Sequence, residues 1–381
     1  KGNMRDFCGT VLLEKKFFIT EEQAVTPAEI LMGTFTDADK IYINGICCGS
    51  SYDRYASRIY PVAPGILRAG ENVVCIHLYV FRGRGGAMPG KQYGIRFKNG
   101  KERWLDLSGT WDAQIRKQME YLPEKTFFNY MASAMFNGMI SPVSPYKICA
   151  VIYYQGESDV GHPNRYALEF RALVNDWRKS WKEKQLPIIY VQLAGFSDGN
   201  IKKQGTQWAE FREVQRQAME IENTAMIQAY DVGEYNDLHP MDKKTLGMRA
   251  ALAVHKLVYG EKEECTGPQV RKIRLDRDKR VYAVFDQPLQ TGSKKDGCEL
   301  VSEVELRKAN GDYKRAYVTV DGNEICAWLS DGEEPTGIRY AWKDCPMNIC
   351  LYGKRGLPVI PFIKEWGRDE IYTGKICETD R

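Results

Sequence analysis

Hydrophobic and polar residues alternate with a period of two along the first ~115 residues, as they do in β-strands with one buried face. No helical period of useful length interrupts this pattern. Asn44-Gly45 is a pair typical of a two-residue hairpin turn. The alternating segments span residues 11–13, 15–19, 40–45, 72–78 and, as the last strand, 105–111. The pattern predicts a β-sandwich or jelly roll.

Between about residue 135 and residue 260 strands and helices alternate. Apolar side chains recur at helical spacing in 165–184, 207–223 and 242–259. Short apolar runs predict three buried strands, at 148–154, 188–193 and 225–230. Strands that alternate with helices form a parallel sheet with right-handed crossovers. The middle of the chain is therefore predicted to be an α/β domain.

Three strands are few for such a domain, because a doubly wound hydrolase sheet normally has about five. Strands covered by helices on both faces must also be paired at both edges to satisfy their backbone groups. We therefore expect another polypeptide segment, either a separate chain or residues preceding Lys1, to complete the sheet.

After Gly267-Pro268 the chain returns to short alternating segments, which predict a second β-domain. These segments span 270–275, 281–285, 304–307, 316–320 and 338–342. The expected organisation is a β-sandwich over 1–118, an α/β domain over 119–262, a β-domain over 263–367 and a polar tail over 368–381.

Composition narrows the class of protein. The 381 residues are 43% hydrophobic, enough for sizeable cores, and 54 basic against 50 acidic residues leave a net charge of +4. This balance indicates neither a nucleic-acid nor a membrane partner, and the apolar runs are too short to span a bilayer. Eleven cysteines without a C-x-x-C pair argue against a zinc site and against a complete disulfide set. Free thiols favour a reducing compartment, and hence the cytoplasm.

Two predicted strands end in polar segments whose side chains are of types used in catalysis. The first, 148–154, runs into Gln155-Gly156-Glu157, and the strand at 225–230 leads to Asp237-Leu238-His239-Pro240. Open α/β sheets bind their ligands at the carboxyl ends of parallel strands. The two segments therefore predict a hydrolase with a histidine base.

Of the four histidines, His239 is the best candidate for the base. Pro240 suits the first position of a helix and Asp242 its first turn. The positive end of the helix dipole would keep a histidine there neutral, as a general base requires. The alternative is that His239 merely caps the helix. His162 is placed at the rim of the site, while His77 and His255 are interpreted as structural.

Asp237 is the nearest acid that could orient His239 and stabilise its imidazolium form. A gap of two residues requires a turn that folds the carboxylate back, so Asp231 and Glu157 remain competitors. Glu157 is better interpreted as an acceptor that orders its own loop. The nucleophile is not evident, since there is no G-x-S-x-G and Ser158 lies among acids.

Gln155 has a side-chain amide that could donate to an oxyanion. Alternatively, the amide satisfies backbone groups of the loop that follows the strand.

Several segments together resemble sialate O-acetylesterases, members of the SGNH-hydrolase superfamily. Y-Y-Q-G-E-S-D at 153–159 is similar to the family's W-Y-Q-G-E-S-N, and N-D-L-H-P at 236–240 to its N-D-I-H-P. F-N-G-M-I at 136–140 resembles Y-N-G-M-I, where the chain re-enters the catalytic domain from an inserted jelly roll. Weaker similarities lie at 39–45, 83–91, 337–342 and 356–362.

The resemblance implies an SGNH-type three-layer α/β domain, present in part, with an inserted jelly roll and a C-terminal β-domain. It implies a carbohydrate O-acetylesterase that acts on sialic acids without a metal or cofactor. A serine would attack the acetyl carbonyl, His239 would take its proton and Asp237 would hold His239. Gln155 and backbone amides would bind the oxyanion, and water would release acetate. Gly156, Glu157 and Asn137 are the further residues assigned to oxyanion or substrate binding.

The family's nucleophile block, G-Q-S-N-M, is missing from the sequence, which opens on Lys1-Gly2-Asn3-Met4. The serine is therefore expected from an N-terminal segment or a separate chain, and residues 1–381 alone should be inactive. Many SGNH enzymes carry the acid three residues before the histidine, where this chain has Asn236. A Ser-His dyad without an acid is therefore an alternative to the triad. The motifs are compatible as well with an acetylxylan esterase of the same fold, and the missing serine with a noncatalytic carbohydrate-binding protein.

Overall fold

The computed structural model describes residues 7–81, 83, 85–98, 102–121, 126–128, 131–197, 204–235, 237–292 and 303–366. The chain forms two compact units, Lys1–Phe127 and Phe128–Arg381. The first unit is all-β apart from one short helix, and the second combines an α/β part with further β-sheets. The finer domain boundaries at 118, 262 and 367 remain predictions.

The first unit is built from two antiparallel sheets that share one core. Its strands are β1 Gly9–Ile19, β2 Ala28–Met32, β3 Phe35–Thr36, β4 Ala38–Ile43, β5 Ile46–Ser51, β6 Ile59–Val62, β7 Gly70–Val80, β8 Gly86–Ala87, β9 Tyr93–Lys98, β10 Glu102–Asp106 and β11 Asp112–Gln118. The sheet orders are β11-β1-β7-β4-β5 and β10-β9-β2-β6, with a β3-β8 ribbon. Alternate residues of both sheets, including Ile30, Ile41 and Phe97, are fully buried in the common core. The helix, α1 Glu21–Val25, is capped by Thr20.

The Asn44-Gly45 turn joins β4 to β5 as its sequence predicts. Both residues have positive φ, 50° and 80°, which the favoured two-residue hairpin turns require. The Asn44 amide donates to Ile66 O and to Asn72 Oδ1 at 2.8 Å each. The side chain therefore anchors the turn to the neighbouring chain segment.

The last strand of this unit differs from the expectation. The predicted strand at 105–111 corresponds only to the end of β10, and the unit closes instead with β11, Asp112–Gln118. Every residue of β11 is exposed, including Ile115. An edge strand without a buried face has no alternating hydrophobic pattern, so the sequence could not indicate it.

The second unit contains a parallel sheet, β12-β13-β14, covered by helices on both faces. Its strands are β12 Val151–Tyr153, β13 Ile188–Gln192 and β14 Thr224–Gln228, and the helices are α2 Pro163–Ser180, α3 Gln207–Gln217 and α4 Lys243–Tyr259. Helices α2 and α3 pack on one face, with Phe170 and Phe211 in the core. Helix α4 packs on the other face through Leu246 and Ala250. The predicted strands and helices of this part are confirmed within a few residues.

The two edge strands of the parallel sheet, β12 and β14, differ in how far the rest of the chain covers them. Near the edge formed by β14, Thr266 Oγ1 donates to Met226 O at 3.0 Å and Arg249 Nη1 donates to Gln228 O at 2.6 Å. Strand β12 at the other edge is half-buried at best, and its Ile152 is 58% exposed. Among the described residues, β12 pairs only with β13.

The C-terminal part consists of short antiparallel strands around their own core. They are β15 Val270–Leu275, β16 Val281–Phe285, β17 Leu289–Thr291, β18 Val304–Arg307, β19 Tyr313–Arg315, β20 Tyr317–Asp321, β21 Glu324–Trp328, β22 Gly337–Tyr340, β23 Leu351–Gly353 and β24 Phe362–Glu365. Tyr230, just after β14, is buried in this core and donates a hydrogen bond to Val359 O. The C-terminal strands therefore pack directly on the end of the parallel sheet.

In the described part of the chain, no helix is long and apolar enough to cross a membrane. The nine cysteines there all carry free thiols, as the sequence predicts.

Candidate active site

The structure brings the two predicted segments to the same end of the parallel sheet, where its strands finish. In-register parallel pairing aligns the ends of β12, β13 and β14, so the loops that follow them share one side. Adjacent strands lie about 4.8 Å apart, which places the ends of β12 and β14 about 10 Å from each other. Lys243, at the start of α4, lies with its Nζ 5.0 Å from the centroid of the Tyr154 ring. The start of α4, four residues after His239, therefore contacts the residue that follows β12.

The amide of Gln155 is held at both ends by side chains. The Tyr153 hydroxyl donates to its Oε1 at 2.6 Å, and its Nε2 donates to Asp159 Oδ2 at 3.0 Å. Because one partner is a carboxylate, which only accepts, the orientation of the amide is determined. Both of these bonds are to side chains rather than to the loop backbone. A fixed, half-buried amide is what oxyanion binding requires, so this role for Gln155 remains a supported prediction.

Gly156 allows the chain to turn sharply after Gln155. Its φ of 153° is rare for residues with a side chain, and a Cβ at this position would lie 2.9 Å from Phe211 Cε1. The Gly156 N–H donates to Glu157 Oε2 at 3.0 Å. Glu157 therefore orders its own loop, in agreement with the interpretation from the sequence. Ser158 is exposed within the short 3-10 turn Glu157–Asp159.

Asp237 adopts the turn that its predicted role demands. Its Oδ1 accepts the backbone N–H of His239 at 2.8 Å, so the carboxylate folds back toward the histidine. Asp237 is 2% exposed, whereas His239 is exposed. The hydrogen bond is to the backbone of His239, so the role of Asp237 as the acid that orients the imidazole stays a prediction. Asn236 lies outside the described residues.

Asp231, the competing acid, is engaged elsewhere. Its two carboxylate oxygens each accept a hydrogen bond of 2.7 Å from the Arg249 guanidinium, and both side chains are nearly buried. Burial alone would lower the pKa of Arg249, but the Asp231 carboxylate outweighs it and raises that pKa. The pair anchors α4 to the end of β14, and this geometry favours Asp237 as the acid.

The expected helix start at Pro240 is wrong. Helix α4 begins at Lys243 because Asp242 caps it, accepting from Thr245 N at 3.0 Å and Thr245 Oγ1 at 2.7 Å. His239 lies four residues before the first helical residue, and a helix dipole acts only within about one turn. The dipole therefore gives no reason for His239 to be neutral.

His162 is the histidine that stands at a helix start. It is the residue before Pro163, which opens α2, and it is exposed on the same side of the sheet as Gln155. Its backbone N–H donates to Asp159 O at 2.7 Å. The two His-Pro pairs of this chain thus have different local structures, which the dipeptide itself does not reveal.

The remaining predicted residues lie on exposed surface. Asn137 is exposed in the π-helical turn Phe136–Ile140, where its N–H donates to Ser133 O at 2.8 Å. His77 packs against the Tyr42 ring in the first unit, with the ring planes tilted by 43°. On α4, His255 Nδ1 lies 2.7 Å from the carboxylate of Glu261, which follows the helix. These contacts agree with a structural interpretation of His77 and His255. Among the described residues, no three His, Cys, Asp or Glu side chains gather as a metal site would need.

Two buried polar residues of α3 escaped the sequence interpretation. Arg212 donates to Ala194 O at 3.5 Å, to Asp344 O at 3.2 Å and to Lys343 O, and burial lowers its pKa to about 10. Gln215 accepts from Leu193 N at 2.9 Å. Both shape the loop after β13. Their position in the sequence could have indicated that they are buried. Residues 208, 211, 212 and 215 form one helical stripe, and its other two members are aromatic.

Comparison with known proteins shows which family this chain resembles. Residues 113–256, which include Gln155, Asp237 and His239, match the family model described as carbohydrate esterase, sialic acid-specific acetylesterase. The chain is 28% identical to human sialate O-acetylesterase over 264 residues and 31% identical to the mouse protein over 275 residues. The resemblance to sialate O-acetylesterases is confirmed.

These matches cover 61% of this chain and 48% of the human and 47% of the mouse protein, so the chain spans about half the length of the curated relatives it matches. A carbohydrate acetylesterase from Xanthomonas citri has a similar fold, with a TM-score of 0.55 and 19% identity. That similarity covers 90% of this chain and 96% of the bacterial one.

Proposed function

We propose that the chain is part of an O-acetylesterase that removes acetyl groups from sialic acids by serine-hydrolase chemistry. The observation that carries the proposal is the exposed His239 next to the buried Asp237, at the same carboxyl-terminal end of the sheet as the fixed Gln155 amide. The family match over residues 113–256 supports the substrate class.

In the proposed reaction a serine oxygen attacks the acetyl carbonyl carbon while His239 accepts the serine proton. Asp237 holds His239 and stabilises the imidazolium, and the Gln155 amide donates to the oxyanion. Collapse of the tetrahedral intermediate breaks the bond to the sugar oxygen, which takes the proton from His239. Water, activated by His239, then attacks the acetyl-enzyme and releases acetate and the free serine.

We further propose that the serine comes from a segment outside residues 1–381 that pairs with β12 and completes an SGNH-type sheet. Ile152 of β12 is 58% exposed, and an unpaired apolar edge is an attachment site for another strand. The adjoining segment presents further exposed apolar side chains: Met131, Met135, Met139, Val143, Tyr146 and Ile148. Exposed large apolar side chains that gather in one short segment favour a contact with protein.

Two preparations test the proposal: residues 1–381 alone, and the complete reading frame that contains them. Each is assayed for acetate release from O-acetylated sialic acid and from acetylated xylan. We expect the complete protein to favour the sialate and residues 1–381 to be inactive and prone to self-association. Turnover by residues 1–381 would refute the external serine and direct attention to Ser158. A complete protein that cleaves neither ester would favour a noncatalytic carbohydrate-binding protein.

A further inference from the structure

A cavity of about 580 Å³ lies between the start of α3 and the C-terminal strands. This volume is within the range of about 300–1,000 Å³ that small-ligand sites occupy. It is lined by Gly205 and Thr206, directly before α3, by Trp342, and by charged side chains in and next to β18 and β22. The lining therefore combines an aromatic ring with charged groups.

The charged lining is a row of ion pairs that contains two carboxylates and two cations. Lys343 Nζ lies 3.0 Å from Glu303 Oε2 and 3.1 Å from Glu305 Oε1, and Arg339 Nε lies 2.7 Å from Glu305 Oε2. Burial would lower the pKa of Lys343, but Glu303 and Glu305 outweigh it and raise that pKa. The two acidic and two basic side chains carry equal and opposite formal charges.

The cavity is on the side of the sheet where the candidate site lies. Thr206 follows the loop that leaves the carboxyl end of β13, and within that loop Ser197 N donates to Tyr235 O at 2.5 Å, two residues before Asp237. Asp344, next to Lys343, accepts from Trp208 N at 2.9 Å. The C-terminal strands are thereby fixed to the first turn of α3 and contribute to this side of the sheet.

We propose that this cavity is the sugar subsite of the enzyme and binds the hydroxyl-bearing part of the acetylated sugar. The inference rests on the proposed function and adds the place where the carbohydrate is held. Sugar hydroxyls both donate and accept hydrogen bonds, so they pair with carboxylates and with ammonium or guanidinium groups, while the indole suits a C–H face. Because the lining is electrically balanced, recognition is through hydroxyls and depends only weakly on salt.

The experiment measures sugar binding and does not need turnover. Residues 1–381 are titrated with N-acetylneuraminic acid by calorimetry, as wild type, Lys343→Gln and Glu305→Gln. Lys308→Gln is the matched control, because Lys308 also pairs with two carboxylates, Asp331 and Glu333, but does not line the cavity. Thermal unfolding of each variant verifies folding.

We expect saturable binding. Lys343→Gln and Glu305→Gln should each weaken the affinity for the sugar by about tenfold or more, and Lys308→Gln should change it by less than about twofold. Equal affinity in all variants, or no saturation by a folded protein at about 20 mM sugar, would overturn the subsite. A strong loss of affinity in about 0.5 M salt would also overturn recognition through hydroxyls. If the sugar binds as expected but the complete protein releases no acetate, the proposed function fails while the site stands.

Discussion

The Arg249 guanidinium holds the Asp231 carboxylate through two hydrogen bonds of 2.7 Å each. This relationship separates two aspartates that look equivalent in the sequence, because both follow β14 and both precede His239. Asp231 is committed to α4, whereas Asp237 folds back on the His239 backbone. Asp231 is thus bound to helix α4 and stabilises the fold, while Asp237 is the acid that we propose for the site.

Replacing each aspartate by asparagine in the complete enzyme should separate these roles. Asp237→Asn should reduce kcat by about a hundredfold or more with little change in unfolding temperature, because the neutral amide cannot stabilise the imidazolium. Asp231→Asn should instead lower the free energy of unfolding by ~2–4 kcal/mol, since it leaves the buried Arg249 without its counter-charge. Full activity of Asp237→Asn would favour the Ser-His dyad.

Removing either of the two exposed histidines near the carboxyl ends of the strands should have very different effects on activity. His239→Ala should lower kcat by about a thousandfold or more with the fold intact, because the variant lacks the imidazole that takes the serine proton. His162→Ala is the matched control, since His162 also precedes a proline and is also exposed. Comparable losses in steady-state assays of the two variants would mean that the base has been assigned to the wrong residue.

Gly156→Ala should disturb the turn that carries Gln155. The added Cβ would approach Phe211 Cε1 to 2.9 Å at a backbone φ of 153°, so we expect a loss of ~1–3 kcal/mol in urea unfolding. Activity should fall further than stability alone explains, because the Gln155 amide shifts. Gly161→Ala, with no atom within 4 Å of the new Cβ, should change stability by about 0.5 kcal/mol or less.

Alkaline pH should destabilise the first unit partly through Tyr93. Burial raises the pKa of Tyr93 from 10.0 to about 12. Its neutral hydroxyl donates to Met88 O at 2.7 Å. A pKa raised by folding gives stability that is complete below the unfolded value and is lost as the pH rises from 10 through 12.

Urea unfolding at about pH 8 and about pH 11 should therefore show a smaller pH-dependent loss for Tyr93→Phe than for the wild type. Tyr52→Phe serves as the control, because Tyr52 is 72% exposed. If Tyr93→Phe and the wild type lose the same free energy of unfolding between these pH values, Tyr93 does not contribute to the alkaline transition.

The sequence pattern located the elements with buried apolar residues and missed the strand that has none. Strands β13 and β14 appear within a few residues of the predicted positions because both are nearly continuous buried apolar runs. Helices α2 and α4 do so because each carries a buried apolar stripe. Strand β11 was missed because all its residues are exposed. The start of α4 was also misplaced, since Pro240 and Asp242 both suit a helix start and only the observed cap at Thr245 N decides between them.

The sequence by itself determined the α/β and β organisation, the two polar strand ends and the resemblance to sialate O-acetylesterases, because these follow from local periodicity and contiguous motifs. Only the tertiary structure decided which aspartate is committed to an arginine 18 residues further along the chain. The Arg212 contacts, the cavity at Trp342 and the unequal edges of the parallel sheet were likewise visible only in three dimensions. Each depends on side chains from separate elements meeting in space, and no local pattern specifies such pairings.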